Sequence, residues 1–218
     1  MHKNVVNLID IKKEINSKKS DSIAEVKVIA VSKTFAMEHI LPLIDYGHLD
    51  YGENKVQEAI NKWSEIKKQK KNLNLHMVGR LQSNKVKQAL KVFDYIHSLD
   101  SIKLAKKISD EQKKIGKKIK IFIQINIGNE KQKSGINIDE LPDFYNLCVN
   151  DLDLNIIGLM CLPPENLDPT IYFKKMKKTS ENLSINELSM GMSSDYLTAL
   201  SFNASFVRIG SKIFGKRG

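Results

Sequence analysis

Lys33 follows an apolar run over residues 26–31, broken only by Lys27. A lysine in that position is most simply a solvated strand end. In a partly desolvated pocket its charged form is disfavoured, and the free amine becomes a nucleophile able to form a Schiff base with a carbonyl compound. Two segments near the other end of the chain carry hydroxyls and glycines. Residues 189–195 read Ser-Met-Gly-Met-Ser-Ser-Asp, and residues 208–211 read Arg-Ile-Gly-Ser. Glycine lets backbone N–H groups approach an anion, and serine hydroxyls add donors, so both segments suit a phosphate. The plainer reading of Ser193 and Ser194 is helix capping beside a tight turn.

These residues work together only if the fold brings them together. Short apolar or β-branched runs occur at 26–32, 49–52, 73–79, 95–99, 119–126, 155–162, 187–190 and 206–209. Lysine-rich segments of helical period separate them, such as 55–68, with Val56, Ala59, Ile60, Trp63 and Ile66 on one face, and 102–115. Repeated strand–helix units imply parallel strands, and nearly continuous apolar runs imply strands buried on both faces. Eight units predict an α/β fold, a single (β/α)8 TIM barrel over residues 1–218, with an extra N-terminal helix around 5–15. An open doubly wound sheet is the competing fold. The G-x-G-x-x-G turn expected after its first strand is absent from the sequence.

In a TIM barrel the ends of strands 1, 7 and 8 share one mouth, and the last two strands commonly supply a phosphate site. Lys33 then faces the segments 189–195 and 208–211. A nucleophilic lysine opposite a phosphate cradle suggests pyridoxal 5′-phosphate (PLP). Arg208 is placed to face the pyridine nitrogen, where a permanent cation keeps that nitrogen unprotonated and weakens the ring as an electron sink. The alternative for Arg208 is a buried ion pair.

The composition narrows the partners. The 218 residues carry a net charge of +10, yet only three of the 35 basic residues are arginines, Arg80, Arg208 and Arg217. Nucleic-acid readers favour arginine forks, and here the lysines are spread along the chain, so no specific nucleic acid is expected. No run approaches the ~18 apolar residues of a membrane helix, and residues 1–20 lack a signal-peptide pattern. A cytoplasmic monomer with Cys148 and Cys161 reduced in its core is expected. His76 and His97 read as hydrogen-bonded barrel histidines, since no third metal ligand is patterned beside them. Residues 82–85, Gln-Ser-Asn-Lys, fit either an N-cap by Ser83 or a polar rim. Residues 131–135 fit either a basic rim or a solvated loop. Met190 and Met192 are expected to pack in the core or around the cofactor.

Eight segments carry a family likeness: VIAVSKTF (28–35), YGENKVQEA (51–59), HMVGRLQSNKVK (76–87), IHSLDSIKLA (96–105), IQINIGNEKQKSGI (123–136), GLMCLP (158–163), LSMGMSSDY (188–196) and VRIGSKIFGKR (207–217). In these the chain resembles the PLP homeostasis proteins of YggS/PROSC type. These are fold-type III PLP barrels related to the N-terminal domain of alanine racemase. The resemblance implies that Lys33 is the PLP lysine, and that Ser193, Gly210 and Ser211 hold the phosphate. It puts Arg208 near the pyridine nitrogen and Asn54, after strand 2, near the cofactor. Arg80 departs from the family pattern and leaves the loop after strand 3 open; Ser211 stands where threonine is common.

Two functions fit such a site. One is PLP buffering or delivery, which affects amino-acid metabolism indirectly and has apo PLP-dependent enzymes as recipients. The other is PLP-dependent amino-acid racemisation. Racemisation needs proton donors and acceptors on both faces of the cofactor. In the racemase relatives the second face belongs to a tyrosine from an added C-terminal β domain, and this chain ends at Gly218. The expectation is therefore a PLP carrier without turnover of its own.

Overall fold

The computed structural model describes residues 1–19, 25–130 and 132–215. Eight strands pair in chain order and close, β8 against β1, into a barrel in which every neighbouring pair is parallel. They are β1 (Lys27–Val31), β2 (Asp50–Glu53), β3 (Asn74–Met77), β4 (Tyr95–Leu99), β5 (Lys120–Ile125), β6 (Ile156–Cys161), β7 (Glu187–Met192) and β8 (Phe206–Ile209). Each coincides with a run read from the sequence. The third is shorter than expected, because the chain leaves the sheet where Gly79 packs on the backbone of Asn54. A Cβ at position 79 would lie 2.4 Å from the Asn54 carbonyl oxygen. The seventh runs two residues further, through the glycine at 191.

Side chains alternate between the two faces of each strand. Val28 and Ala30 join the large core between sheet and helices. Ile29 and Val31 join a smaller buried cluster with Tyr95, Phe122, Met160 and Phe206. That second cluster fills the barrel, and polar side chains interrupt it: His76 stacks on Tyr95 and His97 on Phe122.

The outer wall consists of α2 (Met37–Asp45), α3 (Val56–Gln69), α4 (Val86–Val92), α5 (Ile102–Ile115), α6 (Leu141–Asn146), α7 (Thr170–Asn182), α8 (Tyr196–Leu200) and α9 (Ser211–Phe214). The span of α5 is set by its ends. The Ser101 hydroxyl accepts from the Leu104 N–H at 3.3 Å, and Gly116 takes the left-handed conformation at φ 63°. In α3 the buried residues are Val56, Ala59 and Trp63, on the face read from the sequence. A short 3-10 turn, Ser83–Lys85, precedes α4. Its N-cap is Gln82 and no side chain caps it, so of the two readings of this segment the cap by Ser83 is not made; Ser83 lies inside the turn.

The extra helix, α1 (Lys3–Lys18), packs against α2, α8 and α9. With five and four residues, α8 and α9 are too short to cover their sector of the barrel. Val5, Leu8, Ile11 and Ile15 of α1 fill that gap as one buried stripe. Asn7 Nδ2 donates to the Ile213 carbonyl at 2.9 Å, and Lys212 Nζ reaches Glu14 at 2.7 Å. Tyr196 also donates to Glu14. Cys148 and Cys161 are free and buried, with both thiol pKa values pushed up to about 12 by burial. Among the described residues, no helix is long and apolar enough to cross a membrane.

Candidate functional site

The C-terminal ends of β1, β7 and β8 surround a cavity of about 600 Å³, lined by Lys33, Ser193, Ser194, Arg208, Gly210 and Ser211. Val31, Phe35, Val78, Leu162 and Met192 supply its apolar walls. Five of the six residues singled out from the sequence thus share one space. The sixth, Asn54, is next to Glu53 at the end of β2, with its Oδ1 buried and without a hydrogen-bond partner among the described residues.

Lys33 stands on a turn fixed from both sides. Ser32 Oγ donates to Glu53 Oε1 at 2.8 Å. Lys62 Nζ donates to the Ser32 carbonyl at 3.0 Å, to Glu53 Oε1 at 3.0 Å and to Glu58 Oε1 at 3.1 Å. Trp63 Nε1 also donates to Glu53 Oε1, at 3.0 Å. On the far side, Glu58 Oε1 accepts from the Thr34 N–H at 2.7 Å. Thr34 has φ 69°, a left-handed conformation that a β-branched residue adopts only under constraint. Burial works to raise the Glu58 pKa, but the Thr34 N–H and the Lys62 ammonium outweigh it and leave the carboxyl below its ordinary range. This clamp was not read from the sequence. An acidic residue closing the apolar strand at Glu53 was the available signal.

Opposite Lys33, Ser193 Oγ accepts from the backbone N–H groups of Gly210 and Lys212, each at 3.3 Å. The serine therefore ties the loop after β7 to the start of α9. It does not cap α8, whose N-cap is Asp195. Lys212 turns away towards Glu14 and Tyr196. Met190 is buried in the core, and Met192 lies on the mouth.

Arg208 is buried. Its Nη1 donates to the Ser189 carbonyl at 2.6 Å and to Ser189 Oγ at 2.7 Å, and its Nη2 donates to the Cys161 carbonyl at 2.8 Å. These partners are neutral, so among the described residues the buried ion pair weighed as its alternative role is not formed. Burial disfavours the guanidinium charge, and with three of its five N–H groups bonded to Ser189 and Cys161 the guanidinium retains donors for an acceptor in the mouth.

Beside the mouth, Arg80 is exposed, with its Nε 3.7 Å from Asp100 Oδ2. Lys133 pairs with Glu130 at 2.7 Å, which neutralises the one described lysine of the loop after β5; Lys131 lies outside the described residues.

A parallel barrel with a lysine after β1, serines after β7, an arginine on β8 and a glycine after it fits one class, the alanine-racemase-type barrels. Residues 6–218 match the family described as "Alanine racemase, N-terminal domain". Within that class the likeness is more specific. A "Pyridoxal phosphate homeostasis protein" of Pasteurella multocida is 35% identical over 202 residues, covering 88% of this chain and 87% of that protein. The structure of PipY from Synechococcus elongatus PCC7942 without PLP is 31% identical and superposes with a TM-score of 0.85, covering 94% of this chain and 100% of PipY. PipY with PLP bound superposes at 0.78 with the same coverage. The chain belongs to the pyridoxal phosphate homeostasis protein family. An alanine racemase of Clostridium difficile, 16% identical with a TM-score of 0.74, shares the fold over 57% of its length.

Proposed function

We propose that residues 1–218 act as one PLP-binding barrel that buffers or delivers PLP inside the cell. The observation that carries this reading is the convergence of Lys33, Ser193, Arg208, Gly210 and Ser211 on one mouth, in a chain whose relatives are named for PLP homeostasis. The mouth fits the group chemically. It offers an amine for the aldehyde, hydroxyls and backbone N–H groups for the phosphate, and apolar walls for the ring. When bound, PLP would supply an aldehyde within reach of the Lys33 amine. Ser193, Gly210 and Ser211 would hold the phosphate, Arg208 would meet the ring nitrogen, and Asn54, whose buried Oδ1 has no partner among the described residues, would lie near the cofactor.

A carrier role is supported by the placement of the tyrosines. Tyr51 donates to the His48 carbonyl at 3.1 Å, Tyr95 stacks on His76 inside the barrel, and Tyr196 is engaged with Glu14. Tyr46 ends α2, while Tyr145 and Tyr172 lie on α6 and α7. A second acid–base group opposite Lys33, which the racemase alternative requires, has no candidate among them. Exposed Met192, Ser194 and Ser211 on the rim suit exchange of the cofactor with solvent. The partners we assign are PLP and apo PLP-dependent enzymes, met by a monomer in the cytoplasm. Specific nucleic acid is not among them, since the lysines form no arginine-rich reading face.

The test incubates purified PLP-loaded protein with each L- and D-amino acid and, separately, with an apo PLP enzyme. Activation of the apo-enzyme without change in chirality is expected. Sustained Lys33-dependent racemisation at ordinary enzyme rates would overturn the carrier reading.

The phosphate assignment has its own test. Ser193→Ala combined with Ser211→Ala is expected to weaken PLP by roughly 10- to 100-fold, the equivalent of one or two hydrogen bonds to a charged group. Pyridoxal, which lacks the phosphate, should be little affected. Equal losses for the two ligands in equilibrium titrations would remove these serines from the phosphate site.

A further inference from the structure

The interior of a TIM barrel is ordinarily filled by branched apolar side chains. Here a line of polar groups runs through it. Asp50 Oδ1 is 3.0 Å from His76 Nε2, His76 Nδ1 is 2.9 Å from His97 Nε2, and His97 Nδ1 is 2.9 Å from Ser189 Oγ. Ser189 Oγ is 2.7 Å from Arg208 Nη1. The five residues come from β2, β3, β4, β7 and β8. Asp50 opens β2, at the end of the barrel opposite the mouth, and Arg208 lies at the mouth.

The hydrogens have one consistent arrangement. The Asp50 carboxylate only accepts, so His76 donates through Nε2–H and its neutral Nδ1 is bare. That nitrogen accepts from His97 Nε2–H, which leaves His97 Nδ1 to accept the Ser189 hydroxyl. The serine oxygen in turn accepts from Arg208. Every bond points the same way, from the guanidinium to the carboxylate. Burial keeps both imidazoles neutral, as the arrangement requires; it lowers the His76 pKa and lowers that of His97 further. At Asp50, burial acts to raise the pKa, and the His76 hydrogen bond and the charges around it bring it below the ordinary value.

The rings are fixed as well as bonded. His76 lies 4.2 Å from the Tyr95 ring and His97 lies 4.3 Å from the Phe122 ring, each pair within 17° of parallel. Phe206 closes edge-on against His97 and Phe122. Polar groups in a dry interior cost stability unless they are paired, and here each member from Asp50 to Arg208 is bonded to the next.

We propose that Asp50, His76, His97 and Ser189 are positioning residues for Arg208: a one-way hydrogen-bonded line anchored on Asp50 fixes the guanidinium's angle in the mouth and its strength as a donor to the PLP ring nitrogen. The proposal rests on the reading that Arg208 meets that nitrogen. It makes the far end of the barrel part of the cofactor site, although only Arg208 touches the cofactor.

Two measurements test it. In ligand-free protein with 15N-labelled histidine, long-range 1H–15N NMR at neutral pH should show both His76 and His97 as neutral Nε2–H tautomers. An Nδ1–H tautomer or an imidazolium at either position overturns the line. The second measurement compares PLP with its 1-deaza analogue, in which a C–H replaces the ring nitrogen. The unmodified protein should prefer PLP by about tenfold, the worth of one charge-assisted hydrogen bond. In Ser189→Ala and in Asp50→Asn that preference should fall towards one. Ser98→Ala, on the same strand as His97, should leave it unchanged. Variants that lose thermal stability but keep the full PLP preference would show a purely structural role and overturn the proposal. No preference in the unmodified protein also overturns it; if the tautomers are nonetheless as described, the failure lies in the assignment of Arg208 to the ring nitrogen and not in the line.

Discussion

Lys33→Ala is expected to abolish the visible absorbance of the PLP-loaded protein and to leave borohydride with no lysine to label in the mouth. Among the described residues, Lys33 is the lysine that lines this cavity, whereas Lys212 is held by Glu14 and Tyr196 and Lys62 by Glu53 and Glu58. With the imine gone, only non-covalent contacts retain the cofactor, and affinity should fall at least about a hundredfold, or ~2.7 kcal/mol. Peptide mapping of borohydride-reduced protein and equilibrium dialysis of the variant measure the two effects. A label recovered on another lysine, or an unchanged spectrum in Lys33→Ala, would refute the assignment. The Ser32–Glu53–Lys62 and Thr34–Glu58 contacts give the expectation its geometric basis. They fix the backbone on both sides of Lys33, at the rim of the cavity it lines.

The second large effect is on stability towards acid. His48 is buried, its Nε2 has no partner among the described residues, and burial, helped by the charge of Lys12, pushes its pKa down to about 4. In the unfolded chain the same group titrates near 6.5. Above pH 6.5 both states are neutral and the protein has its full stability. Between pH 6.5 and 4 the unfolded chain takes up a proton that the folded protein refuses, so stability falls as the pH falls. A separation of that size corresponds to about 3 kcal/mol lost by pH 4. His76 and His97 are shifted in the same direction and add to the loss. Urea unfolding followed from pH 7.5 to 4.5 should show a steep decline, and His48→Gln should make it shallower. Stability that stays flat across this window would contradict the burial of all three histidines.

The barrel was legible because its strands are buried on both faces, and runs such as 119–126 and 155–162 have no competing helical period. The ends of α5 were legible because Ser101 and Gly116 are chemical stop signals. The mouth residues could be found because two glycine- and serine-bearing segments fall at the ends of the last two strands of a closing barrel, where either one alone would read as a helix cap and a turn. The interior line was harder to read. His76 and His97 were recognised as hydrogen-bonded, but their partners depend on strand register. The His76–His97 contact needs the register of β3 on β4, the Asp50 contact needs that of β2 on β3, and Ser189 reaches His97 from β7 only once the barrel is closed. The cap at Ser83 was left open in the sequence for a local reason: the 3-10 turn begins at Ser83 itself, so the N-cap position falls on Gln82.

The extra helix bears on how the molecule is made. Synthesis delivers α1, β1 and Lys33 first and β8 last. Yet β8 is the strand that pairs with both β7 and β1, and Ile213, just beyond it, receives the hydrogen bond from Asn7. These are contacts of extreme sequence separation, and their loop-closure entropy is met late. Until β8 pairs with β1, Lys33 stands without Arg208 or the Gly210–Ser211 turn beside it, and the apolar stripe of α1 lacks the C-terminal helices it packs against. The cavity between Lys33 and Arg208 is therefore built by the pairing of β1 with β8, the most distant strands in the sequence.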